Sequence, residues 1–586
     1  MDEVTTAAEE SVPTPVSVEL VRHSHSSGDG LLCALALAAC VLIAYPVANM
    51  PFMDDFSYTK TALDFAQTGH FLYNGWATAM LGWLVPWGAL FIKLFGFSFT
   101  AVRFSMLPIA MATVYLFHQI LRRFGINRGN AVLGALTLAL SPLFLPMAAS
   151  FMTDVPGLFV ILACIAMCQR AVAAQADKAA LLWLCSAMVV NVAGGTVRQI
   201  AWLGALIMVP SAAWLLRERR GMRTAGVLLF LCGLVGVLAC LHWFNEQPYS
   251  VPEHVFVGPI HPKMLVHLGA QLFKTFLCLL LVIFPVSVMW LPVSQRLTAN
   301  AKIRIIGALT LLCLLAAIPY KFGRLDPWLM PWLIPLLESQ AVGGVKVWMR
   351  IGISLLIIAP ALVMLEQMAI PRRIKPASVN SQAPAWVELA WILGPFSLSY
   401  VLLLAPRATF AIIQDRYLLG LAPTAIIVLL RLYQDRIGDK VPAISLVILM
   451  AVAFYAVAGA HDLFAGCRAL VRTVQMVQNS GVPRRYIQAG MASDGWAQIE
   501  GGGHINDSRI QVPAGAYNPD TPNLKLSNEC TLEFASLTPA ITPKYFLLFP
   551  PMSCFAPAKY PPVRYATWLP PFHRALYVQQ LKTGAK

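Results

Sequence analysis

The sequence predicts an α-helical polytopic membrane protein with about thirteen transmembrane helices and a small extracytoplasmic α/β domain at the C-terminus. Three observations lead there. Only 12% of the 586 residues are charged, while 58% are hydrophobic, which is wrong for a soluble globular chain. Apolar runs of about 20 residues recur from residue 31 to residue 460, the length a helix needs to cross the hydrocarbon. The chain then becomes polar and alternates in the way short strands do.

The spans are read at 31–49, 100–120, 130–150, 155–172, 179–197, 200–216, 223–243, 268–294, 304–320, 348–370, 385–405, 415–432 and 441–460. Residues 1–30 are polar and read as a disordered cytoplasmic lead without a signal peptide. Residues 50–99 form a first outer loop, and residues 461–586 the C-terminal domain. The 43 Lys+Arg against 28 Asp+Glu give a net charge of +15. Much of that excess sits in "LRRFGINR", "RERRGMR", "SQRLTANAKIR", "PRRIK" and "RLYQDRIGDK". These loops alternate along the chain, so the positive-inside rule places them and the N-terminus in the cytoplasm. The charge is topology signal rather than a patch, and no nucleic-acid partner is expected.

The opposite loops carry the unusual ionisable residues: Asp54, Asp55, Asp64, His70, Asp154, Arg198, Glu246, Glu253, His254, His261, Lys321, Arg324, Asp326, Arg407, Asp415 and Arg416. Such groups near membrane depth are costly unless paired or solvated, so together they point to a polar cavity at the outer face. No spacing of His or Cys suggests a zinc site, and "GGGH" at 501–504 lacks the Lys-Ser/Thr of a phosphate loop.

The first outer loop opens on two adjacent acids. After Asp55, "FSYTKTALDFAQTG" suits a short surface helix with Tyr58, Ala62, Phe65 and Ala66 on one face and Gly69 as its C-terminal cap. The following Trp- and Tyr-rich stretch suits the interfacial zone, and is long enough to hide a further span. Helix capping accounts for one of the two acids. The other reading is that one carboxylate takes a proton from an incoming nucleophile while a second orients it or holds a cation.

These residues also resemble a known class. "DDFSYTKTALDFAQTG" and "PWGALFIKLFGFSFTAVRFSMLP" are similar to the first outer loop and second span of GT-C fold glycosyltransferases that use polyprenyl-phosphate sugars, the bacterial relatives of protein O-mannosyltransferases and of lipid A aminoarabinose transferases. Their D-E-x-x-Y, A, G, L-F-G and A-x-R pattern falls on Asp54, Asp55 (Asp where Glu is usual), Tyr58, Ala66, Gly69, Leu94-Phe95-Gly96, Ala101 and Arg103. "MTDVPGLF" resembles the second acidic motif and places Asp154; "DRYLLGLAP" resembles a late motif and places Arg416, Tyr417 and Pro423. The E-K-P-like step of the aminoarabinose transferases is missing from "NGWATAMLGWLVPWG", so their lipid A acceptor is not carried over.

The resemblance implies a GT-C-like catalytic domain over 31–460 and a bacterial-type inner membrane, with a hexosyl or pentosyl group passed from a polyprenyl-phosphate donor to a lipid, glycan or protein acceptor. Lipid phosphate leaves readily, so a base matters more than an acid, unlike in glycosidases. On that reading Asp54 is the base, with Asp55 as substitute or helper. Asp154 either orients the acceptor or shares a divalent cation. Arg416 and Arg198 bind the donor phosphate, with Lys321 and Arg324 behind them. A single displacement inverts the anomeric carbon. Each arginine and Asp154 also has an ordinary reading as a snorkelling, ion-paired or capping residue.

In the C-terminal domain, "DLFAGCRALVRTVQMVQNSGVP" is amphipathic, and "RRYIQAG", "KYFLLFPP", "VRYATWLPP" and "ALYVQQLK" read as strands. Cys530 and Cys554 are placed to pair in an oxidising compartment. The rival functions are a transporter or flippase, a polymerase or ligase using a lipid-diphosphate donor, and a catalytically dead lipid-binding scaffold. A transporter would favour midplane charges and internal repeats, neither of which the sequence displays.

Overall fold

A computed structural model of the chain describes residues 27–252, 262–321, 347–369, 386–409, 413–510, 512–516 and 535–582. Glu253, His254, His261, Arg324, Asp326 and Cys530 lie outside the described residues. Most described residues are helical, and a small sheet closes the chain. It is a polytopic helical membrane protein. Seven described helices are long and apolar enough to span a bilayer, from Phe99–Arg123 to Ala443–Asn479, and a pair bent by 73° at Ile283 makes up to eight.

Among the described residues thirteen uninterrupted spans are therefore not found, and the breaks have local causes. The first helix, Ser27–Ile43, stops short of Pro46, whose carbonyl is already engaged elsewhere. The run at 130–150 splits into Arg128–Ala139 and Phe144–Ala148, because Pro142 cannot donate to the helix ladder. The run at 200–216 starts as a 3₁₀ turn and a π turn before Val209–Leu215. The run at 415–432 starts as a 3₁₀ turn, Asp415–Leu418, and resumes as Ala422–Arg436. Irregular backbone is tolerated at membrane depth where protein covers it. Residues 138–153 are buried throughout, and Asp154 begins the next helix.

The first loop contains the Asp55–Thr68 helix, closed by the Gly69 N–H on the Phe65 carbonyl. Leu84–Phe95 follows; its 12 residues extend only about 18 Å, too short to cross. Its exposed Leu90, Leu94 and Phe95 suit an interfacial position.

The described basic loops at 121–128, 217–223 and 431–440 lie at the end of the bundle away from Asp54. Arg128 forks onto Asp29 at 2.7 and 2.8 Å, Gln434 donates to the Gly125 carbonyl, and Asn127 to that of Asp439. Arg219 donates to the Ala174 carbonyl at 2.6 Å. Asp154 and Ala173 mark opposite ends of one 20-residue helix, about 30 Å apart.

Ala443–Asn479 is one helix of 37 residues. It runs through the expected boundary at 460, so the last span and the amphipathic segment are one rod. Leu446, Val447, Met450 and Phe454 of its first half are exposed, while Ala465 and Ala469 of its second half are buried under Tyr565. The sheet has five strands: β1 (Ile487–Gln488), β2 (Tyr545–Leu548), β3 (Phe555–Pro557), β4 (Val563–Ala566) and β5 (His573–Leu581). β1 pairs parallel with β2, and β2, β3 and β4 all pair antiparallel with β5. β3, inside the segment after "KYFLLFPP", was not read as a strand. Cys554 is disulfide-bonded, while the other described cysteines are free. The Met491–Gly502 helix packs against the first loop, where Phe56, Ile499 and Ile505 form a buried cluster beside Trp76.

Candidate active site

The two adjacent acids separate. Asp55 is 2% exposed and turns inward. It accepts the Phe52 backbone N–H and lies 3.9 Å from the Arg103 guanidinium. Arg103, 1% exposed, donates to the carbonyls of Pro46, Ala48 and Met50 at 3.2, 3.1 and 2.9 Å. A buried guanidinium needs that many acceptors, and the strand-like segment from 46 to 50 has carbonyls to spare. The pair therefore holds the chain where it leaves the first helix. Burial pushes the Asp55 carboxyl up to about 7, with Arg103 and the Phe52 N–H opposing it. Asp55, expected as a substitute or helper for Asp54, is not among the residues that line the cavity described below.

Asp54 occupies the N-cap position of the Asp55–Thr68 helix, yet its side chain makes no capping bond. The carboxylate instead accepts from Trp76 Nε1 on Oδ1 at 3.1 Å and from Arg416 Nη2 on Oδ2 at 2.7 Å. Capping thus explains neither acid. Tyr58, one helical turn along, lies on the same face and is buried.

Asp154 begins the Asp154–Ala173 helix with its side chain wholly buried. Its Oδ1 is 3.0 Å from Arg198 Nη2, and its Oδ2 is 4.0 Å from Arg416 Nη1. Arg198 also donates to Thr153 Oγ1 at 3.1 Å. It can lie along the helix start because residue 157 is glycine: a Cβ there would stand 2.6 Å from Arg198 Cβ. Asp154 is thus a hub behind two cations. The ring of Tyr417 lies among Arg198, Arg407 and Arg416, at 5.1, 5.3 and 5.9 Å, within cation–π reach.

These groups border a cavity of about 630 Å³. Asp54, Arg198, Arg407 and Arg416 face it from one side, and Trp202, Leu203, Leu206, Leu241, Leu403 and Leu404 form an apolar wall. Arg509 reaches it from the C-terminal part, steadied by two bonds to the Asp507 carboxylate at 2.9 and 2.6 Å. The segment before Arg509 is tied to the first loop by the Ile505 N–H on the Asn74 carbonyl, two residues before Trp76. A concave site with an apolar wall and a few convergent polar groups suits an amphipathic ligand.

Asp54, Asp154, Arg198, Arg416, Tyr58 and Tyr417 come together here. Asp55 and Arg103 stand apart as a buried pair. Lys321 ends the Ala299–Lys321 helix. Asp64 pairs with Lys60, and Glu246 faces His242 at 4.0 Å. Trp76, Thr153 and Tyr400 were not singled out from sequence, since an indole, a hydroxyl and a phenol in apolar runs leave no charge or spacing signal. Among the described residues no group of three or more His, Cys, Asp or Glu side chains could hold a metal ion. The guanidinium of Arg416 stands 2.7 Å from Asp54 and 4.0 Å from Asp154, in the space that a shared divalent cation would take.

No protein-family model and no curated protein matches the chain. Solved structures do. ArnT from Cupriavidus metallidurans in the apo state aligns over 95% of this chain and 98% of its own, with 11% identity and a TM-score of 0.38. The Archaeoglobus fulgidus oligosaccharyltransferase in the apo form aligns over 89% of this chain and 64% of its own, with 12% identity and a TM-score of 0.37. The S. cerevisiae protein O-mannosyltransferase Pmt1-Pmt2 complex bound to the sugar donor aligns over 37% of this chain and a third of its own, 33%, with 17% identity and a TM-score of 0.30. The matched structures are glycosyltransferases of the class that the sequence motifs resemble. Superpositions this loose carry no weight for function, which rests on the site itself.

Proposed function

We propose that this chain is an integral membrane glycosyltransferase that moves a sugar from a polyprenyl-phosphate donor to a hydroxyl acceptor at the outer face of a bacterial-type inner membrane. The carrying observation is the convergence of Asp54 with Arg416 and Arg198 on one cavity that also has an apolar wall. A lipid phosphate is amphipathic in the same sense: its tail suits the leucines and its phosphate the guanidinium forks. The end of the bundle that gathers the basic loops is taken as cytoplasmic, which puts the cavity outside.

On this reading the acceptor oxygen attacks the anomeric carbon from the face opposite the phosphate. Its proton passes to Asp54. The bond from the anomeric carbon to the phosphate oxygen breaks, and its electron pair stays on that oxygen. Arg416 and Arg198 offset the charge that develops there. No group near the leaving oxygen is needed as an acid, and the configuration inverts. No step passes through a metal ion. A flippase is less well supported, because the ion-paired groups sit at one end of the helices rather than midway.

The test is turnover. Purified protein, wild type and Asp54→Asn, is incubated with a panel of polyprenyl-phosphate sugars and cell-envelope extract. Release of lipid phosphate by wild type, and an inverted glycoside in the product, is the expected result. Equal release by both proteins removes Asp54 from its role.

A further inference from the structure

The Asp54–Arg416 contact poses a difficulty for any base. A carboxylate oxygen held at 2.7 Å by a guanidinium is not available to a hydroxyl proton. The pair is sheltered, with side chains 20% and 11% exposed, so water does little to loosen it. Arg416 is nevertheless under-used. A guanidinium has five N–H donors, and Nε and Nη1 of Arg416 are buried with no hydrogen-bond partner. Asp154 reaches Nη1 only from 4.0 Å. Two non-bridging oxygens of a phosphate would take two of these donors at once.

Taking the cavity to be a lipid-phosphate donor site, we propose that Arg416 is a counter-ion shared between base and donor: it covers Asp54 Oδ2 in the ligand-free protein, and a polyprenyl phosphate draws it off and uncovers that oxygen. Asp54 keeps its position when this happens, because Trp76 Nε1 holds the other oxygen, Oδ1. Asp154 keeps the guanidinium from leaving the cavity altogether. Oδ2 is therefore the proton-accepting atom. The acceptor proton moves to Oδ2 as the acceptor oxygen bonds to the anomeric carbon and the phosphate departs with the electron pair. The arrangement makes the base competent only when a donor is in place, so the acceptor is activated second.

Carbodiimide-driven amidation of Asp54, read by peptide mass spectrometry with fragment assignment against Asp55, tests this. The probe is a polyprenyl monophosphate without sugar, added to the full-length protein in detergent. Inorganic phosphate and the polyprenyl alcohol at the same concentration are the comparison arms, and binding of each is followed by native mass spectrometry. The monophosphate is expected to bind and to raise Asp54 labelling roughly threefold or more, as a freed carboxylate should. The other two arms should leave labelling unchanged. In Arg416→Gln, labelling should be high from the start and insensitive to the probe, while Arg416→Lys, which lacks the fork, should respond weakly. Binding of the monophosphate with unchanged or reduced labelling overturns the shared counter-ion and leaves the donor site standing. An equal rise with the alcohol also overturns it, because the tail alone would then open the pair. Failure of the monophosphate to bind overturns the donor reading and this inference with it.

Discussion

Asp54 and Asp55 are neighbours in sequence, so replacing each by asparagine separates chemistry from architecture. Asp54→Asn removes the proton acceptor but keeps the size of the side chain and the Trp76 contact. A positioned general base contributes about 10²–10⁴-fold, and turnover should fall by that factor. Thermal stability should change little, because the amide oxygen can still accept from Trp76 or Arg416 and Arg416 keeps Asp154 nearby. Asp55→Asn should behave in the opposite way. Burial has pushed its carboxyl from the ordinary 3.8 to about 7, so the native state holds this proton more tightly than the unfolded chain does. The site's stabilisation is then fully present below about pH 3.8 and is lost as the pH rises to about 7. The displacement corresponds to roughly 4 kcal/mol at its limit. Asparagine imitates the protonated form, so the variant should lose this pH dependence while keeping turnover within about tenfold of wild type. Melting with a thiol-reactive dye, which reports exposure of Cys33, Cys164, Cys168, Cys278 and Cys467 as they unfold, between pH 5 and pH 8 measures one half. Lipid-phosphate release measures the other. Abolished turnover in Asp55→Asn with an unaltered melting profile would refute the division of roles.

Arg103→Met strips three buried carbonyls and Asp55 of their cation and should cost about 3–5 kcal/mol, seen as dye uptake at lower temperature; an unchanged melt would dismiss the clamp. Gly157→Ala puts a Cβ 2.6 Å from Arg198 Cβ, so one of the two segments must shift: turnover should fall by about tenfold or more and dye uptake should begin at a lower temperature, and unchanged turnover would separate Arg198 from the chemistry. Chelation by EDTA should leave turnover unchanged, because Arg416 stands where a shared cation would go; loss of turnover restored by Mg²⁺ or Mn²⁺ would contradict that.

The legible part of this molecule was the part written in charge. Asp54, Asp154, Arg198 and Arg416 stand out because an ionised group among apolar residues needs a reason, and the alternation of basic loops assigns them all to one end. The helix breaks were not legible. Hydropathy sums over about 20 residues and passes smoothly across Ser141-Pro142 and the start of Gln199–Leu215. Nor was the division between Asp54 and Asp55, because it depends on which way each side chain turns, and that is settled by Arg103 and Arg416 at sequence distances no pattern links. Helix Met491–Gly502 was missed for a related reason: two Gly residues end it and one, Gly495, lies within it, lowering its propensity, while its packing on Phe56 stabilises it from outside.

Gly75 connects the C-terminal part to the chemistry. It has φ of +78°, and a Cβ on it would meet the Ile505 carbonyl oxygen at 2.7 Å. Its neighbours are Asn74, whose carbonyl accepts the Ile505 N–H, and Trp76, which holds Asp54 Oδ1. Gly75→Ala must therefore strain the backbone or push the 505 segment away, and backbone does not yield as a flexible side chain would. The left-handed conformation alone costs roughly 1 kcal/mol for alanine, and the clash adds to it. Either response moves Trp76, and a misplacement near 1 Å at a reacting group can cost about 10²-fold. Because the cations proposed to bind the donor come from other parts of the chain, affinity for a polyprenyl monophosphate should stay close to wild type while turnover falls. Weakened lipid binding with normal turnover per bound donor would mean that the C-terminal part serves the donor side, and that Trp76 does not position the base.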